Sequence, residues 1–234
     1  MQHLQVSEIK IDVIQKDIKN LHLSVHPPYG RVKISAPTRM DLETIRIYAI
    51  SKLGWIRNHQ SKFKNQERET PREFISNESH FFKGKRYLLR VIEKNSKPEI
   101  ILRHNKIELY IRPGSGREKK REIFEDWYRE KLKEVIPGLI KKWEGKMNLN
   151  VKEFGIKKMK TKWGTCNSKE KRIWLNLELA KKPVICLEYI IVHEMIHLIE
   201  RKHNERFVSL MDKYMPQWRE IRGELGRLPV GDVR

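Results

Sequence analysis

Pro183-Val184-Ile185-Cys186-Leu187-Glu188-Tyr189-Ile190-Ile191-Val192-His193-Glu194-Met195-Ile196-His197 is the stretch on which the reading of this chain turns. Between Pro183 and Val192 nearly every residue is apolar, which predicts a helix buried on most sides. Proline suits the first helical position, where its missing N–H is an orphan in any case. The run ends in the pattern H-E-x-x-H. Residues four apart on a helix share one face, one turn above the other. Two imidazoles are thereby set side by side, as a zinc ion at roughly 2.0–2.1 Å from each nitrogen requires. Glu194 stands between them, in the position of a carboxylate that takes a proton from an activated water. Such polar groups at the end of a buried helix cost free energy unless they are paired or bound to a metal. The plainer alternative is a core helix whose polar end reaches water, and Glu200-Arg201-Lys202 does follow. It does not account for two histidines four apart with a glutamate between them. The pattern points to metal-assisted hydrolysis.

His203 follows His197 by six residues. On an uninterrupted helix it would lie about 9 Å further along and on the wrong face. It joins the same ion only if the chain turns after His197; otherwise it is an exposed loop histidine. The spacing matches a zinc-hydrolase pattern in which a glycine makes that turn. Glu200 holds that position here, so the turn falls to Arg201, Lys202 or Asn204, and asparagine tolerates left-handed backbone best. Asn204 is also placed to cap a following helix, Glu205–Tyr214.

A length of 234 residues allows one large domain or two small ones. Cys166 and Cys186 are too few for a disulfide framework and lack zinc-knuckle spacing. No apolar run is long enough to cross a membrane, and Met1-Gln2-His3-Leu4-Gln5 has no signal pattern, so the expectation is a cytoplasmic protein. The net charge is +20, from 50 Lys and Arg against 30 Asp and Glu. A field of this size draws polyanions and favours non-specific nucleic-acid contact at low salt. No nucleic-acid motif accompanies it, and a solvated cationic surface is the simpler reading.

Apolar alternation predicts strands at Ile9–Ile14, Leu21–His26 and Val32–Ala36, with Pro27-Pro28-Tyr29-Gly30 as a turn. Leu42, Ile45, Ala49, Leu53 and Ile56 recur at helical spacing. The polar stretch Lys64–Ser79 reads as a connector. Short strands are expected at His80–Phe82, Tyr87–Glu93, Glu99–Arg103 and Lys106–Arg112, with His104-Asn105 as a hairpin turn. Pro113-Gly114-Ser115-Gly116 breaks the pattern and is the expected lobe boundary, dividing 1–115 from 116–234. An amphipathic helix starts at Arg117 and is kinked or restarted by Pro137-Gly138. Strands at Val151–Met159 and Arg172–Leu177 precede the histidine helix, and no internal repeat is visible.

Lys162-Trp163-Gly164-Thr165-Cys166, Ile173-x-Leu175-Asn176, Pro183, Val192-His193-Glu194-x-x-His197-Leu198, His203-Asn204-x-x-Phe207 and Tyr214-Met215-Pro216-x-Trp218-Arg219 resemble, in order and spacing, the YgjP-like metallopeptidase family. Val32-x-Ile34-x-Ala36-Pro37 and Trp55-Ile56 extend the resemblance more loosely. It implies one continuous family domain of class α+β. A β-rich N-terminal lobe would pack on a helical, zincin-like catalytic lobe with a short sheet, related to SprT-like peptidases. It further implies His193, His197 and His203 as ligands of Zn²⁺, or of another divalent metal, and Glu194 as general base. The implied activity is peptide hydrolysis. Two alternatives stay open. Some family members carry the name of a UTP pyrophosphatase, which would make the substrate a nucleotide rather than a polypeptide. The other is a nucleic-acid-associated binding protein whose metal is structural. Lys160, Lys162 and Tyr214 have the chemistry of an oxyanion donor, and Gly164 would let an extended substrate approach closely.

Overall fold

The computed structural model describes residues 2–26, 29–65 and 72–227; Pro27-Pro28 of the expected turn and 66–71 of the expected connector lie outside them. The chain divides into two compact units, residues 1–67 and 68–232.

In the first unit four strands, β1 (Gln2–Val6), β2 (Ile9–Lys16), β3 (His22–His26) and β4 (Arg31–Pro37), form a sheet in the order β1-β2-β4-β3. The outer pairs are antiparallel and the central β2–β4 pair is parallel. Alternation buries Ile9, Ile11 and Val13 from β2 and Val32, Ile34 and Ala36 from β4. Helices α1 (Leu42–Ser51) and α2 (Leu53–Asn65) add Ile45, Ala49 and Ile56 to that core. The apolar spacing from Leu42 to Ile56 thus belongs to two helices. They part at Lys52, where a tightened bond from its N–H to Ala49 O ends the first. The edge strand β1, which the alternation pattern did not single out, is stitched to β2 across a turn with Ser7 at φ 54°.

The second unit opens with the same connectivity. Strands β5 (Ser79–Phe82), β6 (Lys85–Glu93), β7 (Glu99–Leu102) and β8 (Lys106–Ile111) are ordered β5-β6-β8-β7, again with antiparallel outer pairs about a parallel centre. Helix α3 (Arg117–Met147) covers this sheet. It does not restart at Pro137, because its buried stripe of Phe124, Tyr128, Leu132, Ile136, Ile140, Trp143 and Met147 passes that point unbroken. Tertiary packing on that stripe offsets the bond the proline removes. The boundary expected at Pro113–Gly116 therefore falls inside the second unit. Phe82, Leu89, Ile107, Leu109 and Ile111 share one core with α3 and the helices beyond it.

A smaller sheet follows: β9 (Glu153–Lys157), β10 (Gly164–Asn167) and β11 (Arg172–Asn176), in the order β10-β11-β9 with β10 at an edge. A 3-10 turn (Leu177–Lys181) leads into α4 (Val184–Ile196), α5 (Glu205–Tyr214) and α6 (Trp218–Arg227). Pro183 is the cap of α4 rather than its first residue. The β5–β6 turn fastens the larger sheet to this point. Lys83 and Gly84 sit at φ 49° and 80°, the hairpin geometry with both central residues left-handed. Their N–H groups donate to Ala180 O and Lys181 O at 2.9 and 3.0 Å. A Cβ on Gly84 would stand 2.8 Å from the Pro183 ring. The class is α+β, and among the described residues no helix is long and apolar enough to cross a membrane.

Candidate metal centre

Helix α4 is buried from Cys186 to Val192 and again at Glu194, Met195 and Ile196. His193 and His197 lie on its less buried face, one turn apart. The helix ends at Ile196 with His197 as its cap, and the chain tightens at once. Leu198 N–H donates to Met195 O at 3.0 Å and Ile199 N–H to Ile196 O at 2.8 Å. This turn needs no left-handed residue: none occurs between 198 and 204, and Asn204 is extended. The turn expected at Arg201, Lys202 or Asn204 is therefore made earlier, by short-range helical bonds. Asn204 does cap α5, its side chain accepting from Phe207 N–H at 3.0 Å.

The result is convergence. One nitrogen from each of His193, His197 and His203 lies within 4.8 Å of the others, and Nε2 of His193 and of His203 are 3.0 Å apart. Two nitrogens bound to one tetrahedral zinc stand roughly 3.3 Å apart. Phe207 packs against all three rings, with centroids 4.9, 4.9 and 4.6 Å away. His197 Nδ1 lies 2.9 Å from the backbone oxygen of Glu200. A carbonyl only accepts, so the proton sits on Nδ1 and the Nε2 lone pair is free for a metal. Residue 200 thus contributes through its carbonyl. His193 Nδ1 is buried and has no hydrogen-bond partner among the described residues.

Electrostatics favours the same use. Burial, with the charges of His197, His203 and Arg222 behind it, pushes His193 down to about 3. Burial first, then His197 and Arg222, holds His203 below its ordinary value. Both are neutral near pH 7, the state that binds metal. The three imidazoles fit a divalent cation in donor type and spacing.

Glu194 is only 5% exposed. Burial pushes its carboxyl up to about 8, opposed by the charge of Lys162. Room for it comes from β10: a Cβ on Gly164 would lie 2.6 Å from Glu194 Oε1 and 2.8 Å from its Cγ. The close approach read at Gly164 is made by the chain's own glutamate. Beside it opens a cleft of about 960 Å³ lined by Thr161–Lys169, by Tyr189, Ile190, His193, Glu194 and His197 of the α4 region, and by Arg222 of α6. Lys162 lines this cleft; Lys160 and Tyr214 are not among its lining residues.

Asn176 organises the loop that enters β10. Its Nδ2 donates to Met159 O and Lys162 O at 2.9 and 2.7 Å, and its N–H to Trp163 O at 2.8 Å. Tyr189, Arg201 and Arg222 also border the site and were not singled out from sequence. Tyr189 was within reach, being one turn before His193 on the same face. No spacing rule ties Arg222 on α6 to α4.

The model of the YgjP-like family, described as a metallopeptidase domain, matches residues 19–228. The chain belongs to the YgjP-like metallopeptidase family. Among solved structures, the metallopeptidase zymogen of Pyrococcus abyssi abylysin is 20% identical, covering 41% of this chain and 100% of its own, with a TM-score of 0.36. The zymogen of Methanocaldococcus jannaschii jannalysin is 26% identical, covering 38% and 92%, with a TM-score of 0.35. No curated protein matches the chain. Membership in a YgjP-like metallopeptidase family brings a metal requirement, and His193, His197 and His203 are a group able to meet it.

Proposed function

We propose that this chain is a zinc-dependent peptidase in which His193, His197 and His203 hold the metal and Glu194 is the general base. The observation that carries the reading is the convergence of three imidazole nitrogens beside a buried carboxylate at the wall of a cleft. Zinc held by three histidines supplies Lewis acidity, activating water and polarising a carbonyl at neutral pH. Glu194 is the proton carrier. Its carboxylate stands at the wall of the cleft, where it can take a proton and return it to the leaving amine. Asn204 and Phe207 hold the histidine of the α4–α5 turn against the two on α4. Among the described residues the edge strand β10 pairs on one side only and borders the cleft, which suits an extended polypeptide.

The test compares wild type with Glu194→Gln, both loaded with zinc, on a casein-like protein, on DNA-bound protein and on UTP. The expected result is proteolysis by wild type and a loss of about 10²–10⁴-fold in the variant, with zinc retained. Pyrophosphate released from UTP without proteolysis would move the activity to nucleotides. Undiminished activity in the variant would remove Glu194 from the chemistry.

A further inference from the structure

Four cations line the cleft: Lys162, Lys169, Arg201 and Arg222. Among the described residues there, Glu194 is the only acid, and it is buried. The whole chain carries 50 basic against 30 acidic residues, so four to one is well beyond its average bias. Elsewhere the surface cations are commonly matched, as in Lys131–Glu134, Lys133–Glu130 and Arg172–Glu153. No carboxylate forms an ion pair with any of the four cleft cations among the described residues.

The four come from different parts of the fold. Lys162 precedes β10, Lys169 follows it, Arg201 lies between α4 and α5, and Arg222 is on α6. All four line the same cleft as His193, Glu194, His197 and His203. Arg222 also lies over the Trp218 ring, 6.0 Å from its centroid, within cation–π reach. The charge is therefore distributed around the reacting position.

We propose that this cleft selects acidic polypeptide segments, with Lys162, Arg201 and Arg222 receiving carboxylate side chains that flank the bond to be cut. The proposal rests on the peptidase reading above. A polypeptide is favoured over a nucleic acid because the cleft also offers the free edge of β10, whose backbone groups match an extended peptide. Phosphate recognition through a glycine-rich loop has no counterpart in the sequence. Arginine pairs with carboxylates in bidentate geometry, which makes Arg201 and Arg222 the discriminating residues.

The test uses the full zinc-loaded chain and matched quenched-fluorescence peptides, one with Asp and Glu flanking the central bond and one with Asn and Gln. At low salt kcat/KM should favour the acidic peptide by roughly three- to tenfold, from several exposed pairs of modest strength. The ratio should shrink as salt screens the pairs. Arg201→Ala combined with Arg222→Ala should bring it close to one, and Arg222→Glu should shift preference toward peptides with Lys. Lys97→Ala, an exposed cation outside the cleft, should leave the ratio where it is. Equal cleavage of both peptides by wild type would overturn the proposal while leaving the peptidase reading intact. Binding of the same peptides to zinc-loaded Glu194→Gln, followed by anisotropy, separates the opposite case. If nothing is cleaved but the acidic peptide binds more tightly, the selectivity stands and the peptidase reading falls. Displacement of the acidic peptide by a DNA duplex at lower concentration than by unlabelled peptide would reassign the cleft to nucleic acid.

Discussion

Gly164 and Glu194 show how far one hydrogen atom in place of a methyl group can matter. The carboxylate occupies the space a side chain at 164 would need. Gly164→Ala is expected to push Glu194 aside and lower kcat by at least tenfold, while zinc content, read by metal analysis, stays at the wild-type level. Loss of zinc together with activity would mean that the substitution acts on the histidines instead. A second residue carries a pH dependence. His80 is 4% exposed, packs against the rings of Phe74 and Phe124, and is held down to about 4, chiefly by burial. Unfolded, it titrates at its ordinary 6.5. Between these values the unfolded chain binds the proton and the folded chain does not, so stability falls as pH drops from 6.5 toward 4. The loss is about 3 kcal/mol at most. Urea midpoints across this range should fall more steeply for wild type than for His80→Gln, and parallel curves would refute the assignment.

Helices and turns set the ligand geometry. Of the three proposed ligands, His193 lies on α4, His197 caps it, and His203 is delivered by a turn whose far end is pinned by the cap of α5. Asn204→Ala removes that cap, worth about 1 kcal/mol. It should also weaken zinc binding several-fold in a chelator competition, because Phe207 on α5 backs all three imidazoles. A thermal shift with unchanged zinc affinity would confine Asn204 to helix stability. The H-E-x-x-H spacing was legible because helical periodicity is a local property. So were most strands, from alternation alone. The split between α1 and α2 and the persistence of α3 through Pro137 were not. Propensity marks where a helix is costly, whereas packing of the stripe from Phe124 to Met147 decides whether that cost is met.

At the scale of the molecule, one strand connectivity is used twice, once in each compact unit, with no trace in the residues. His193, His197 and His203 all lie in the second unit, so metal should stabilise that unit alone. At a hundredfold excess over Kd, zinc is expected to add about 2.7 kcal/mol. Hydrogen exchange should slow within 72–227 and remain unchanged within 2–65. Equal protection of both would show that the units unfold together.

Sequence by itself determined the position of the histidine helix, the spacing that pairs His193 with His197 around Glu194, and the cap at Asn204. Each follows from residues within a few positions of one another, where periodicity and capping act. The convergence of His203, the room made at Gly164, the loop held by Asn176 and the cationic lining from α6 were decided by tertiary structure. Those contacts join residues far apart along the chain, and no local rule relates positions that only packing brings together. The break at Pro113–Gly116 follows the end of β8, but the shared core decides which elements form one body.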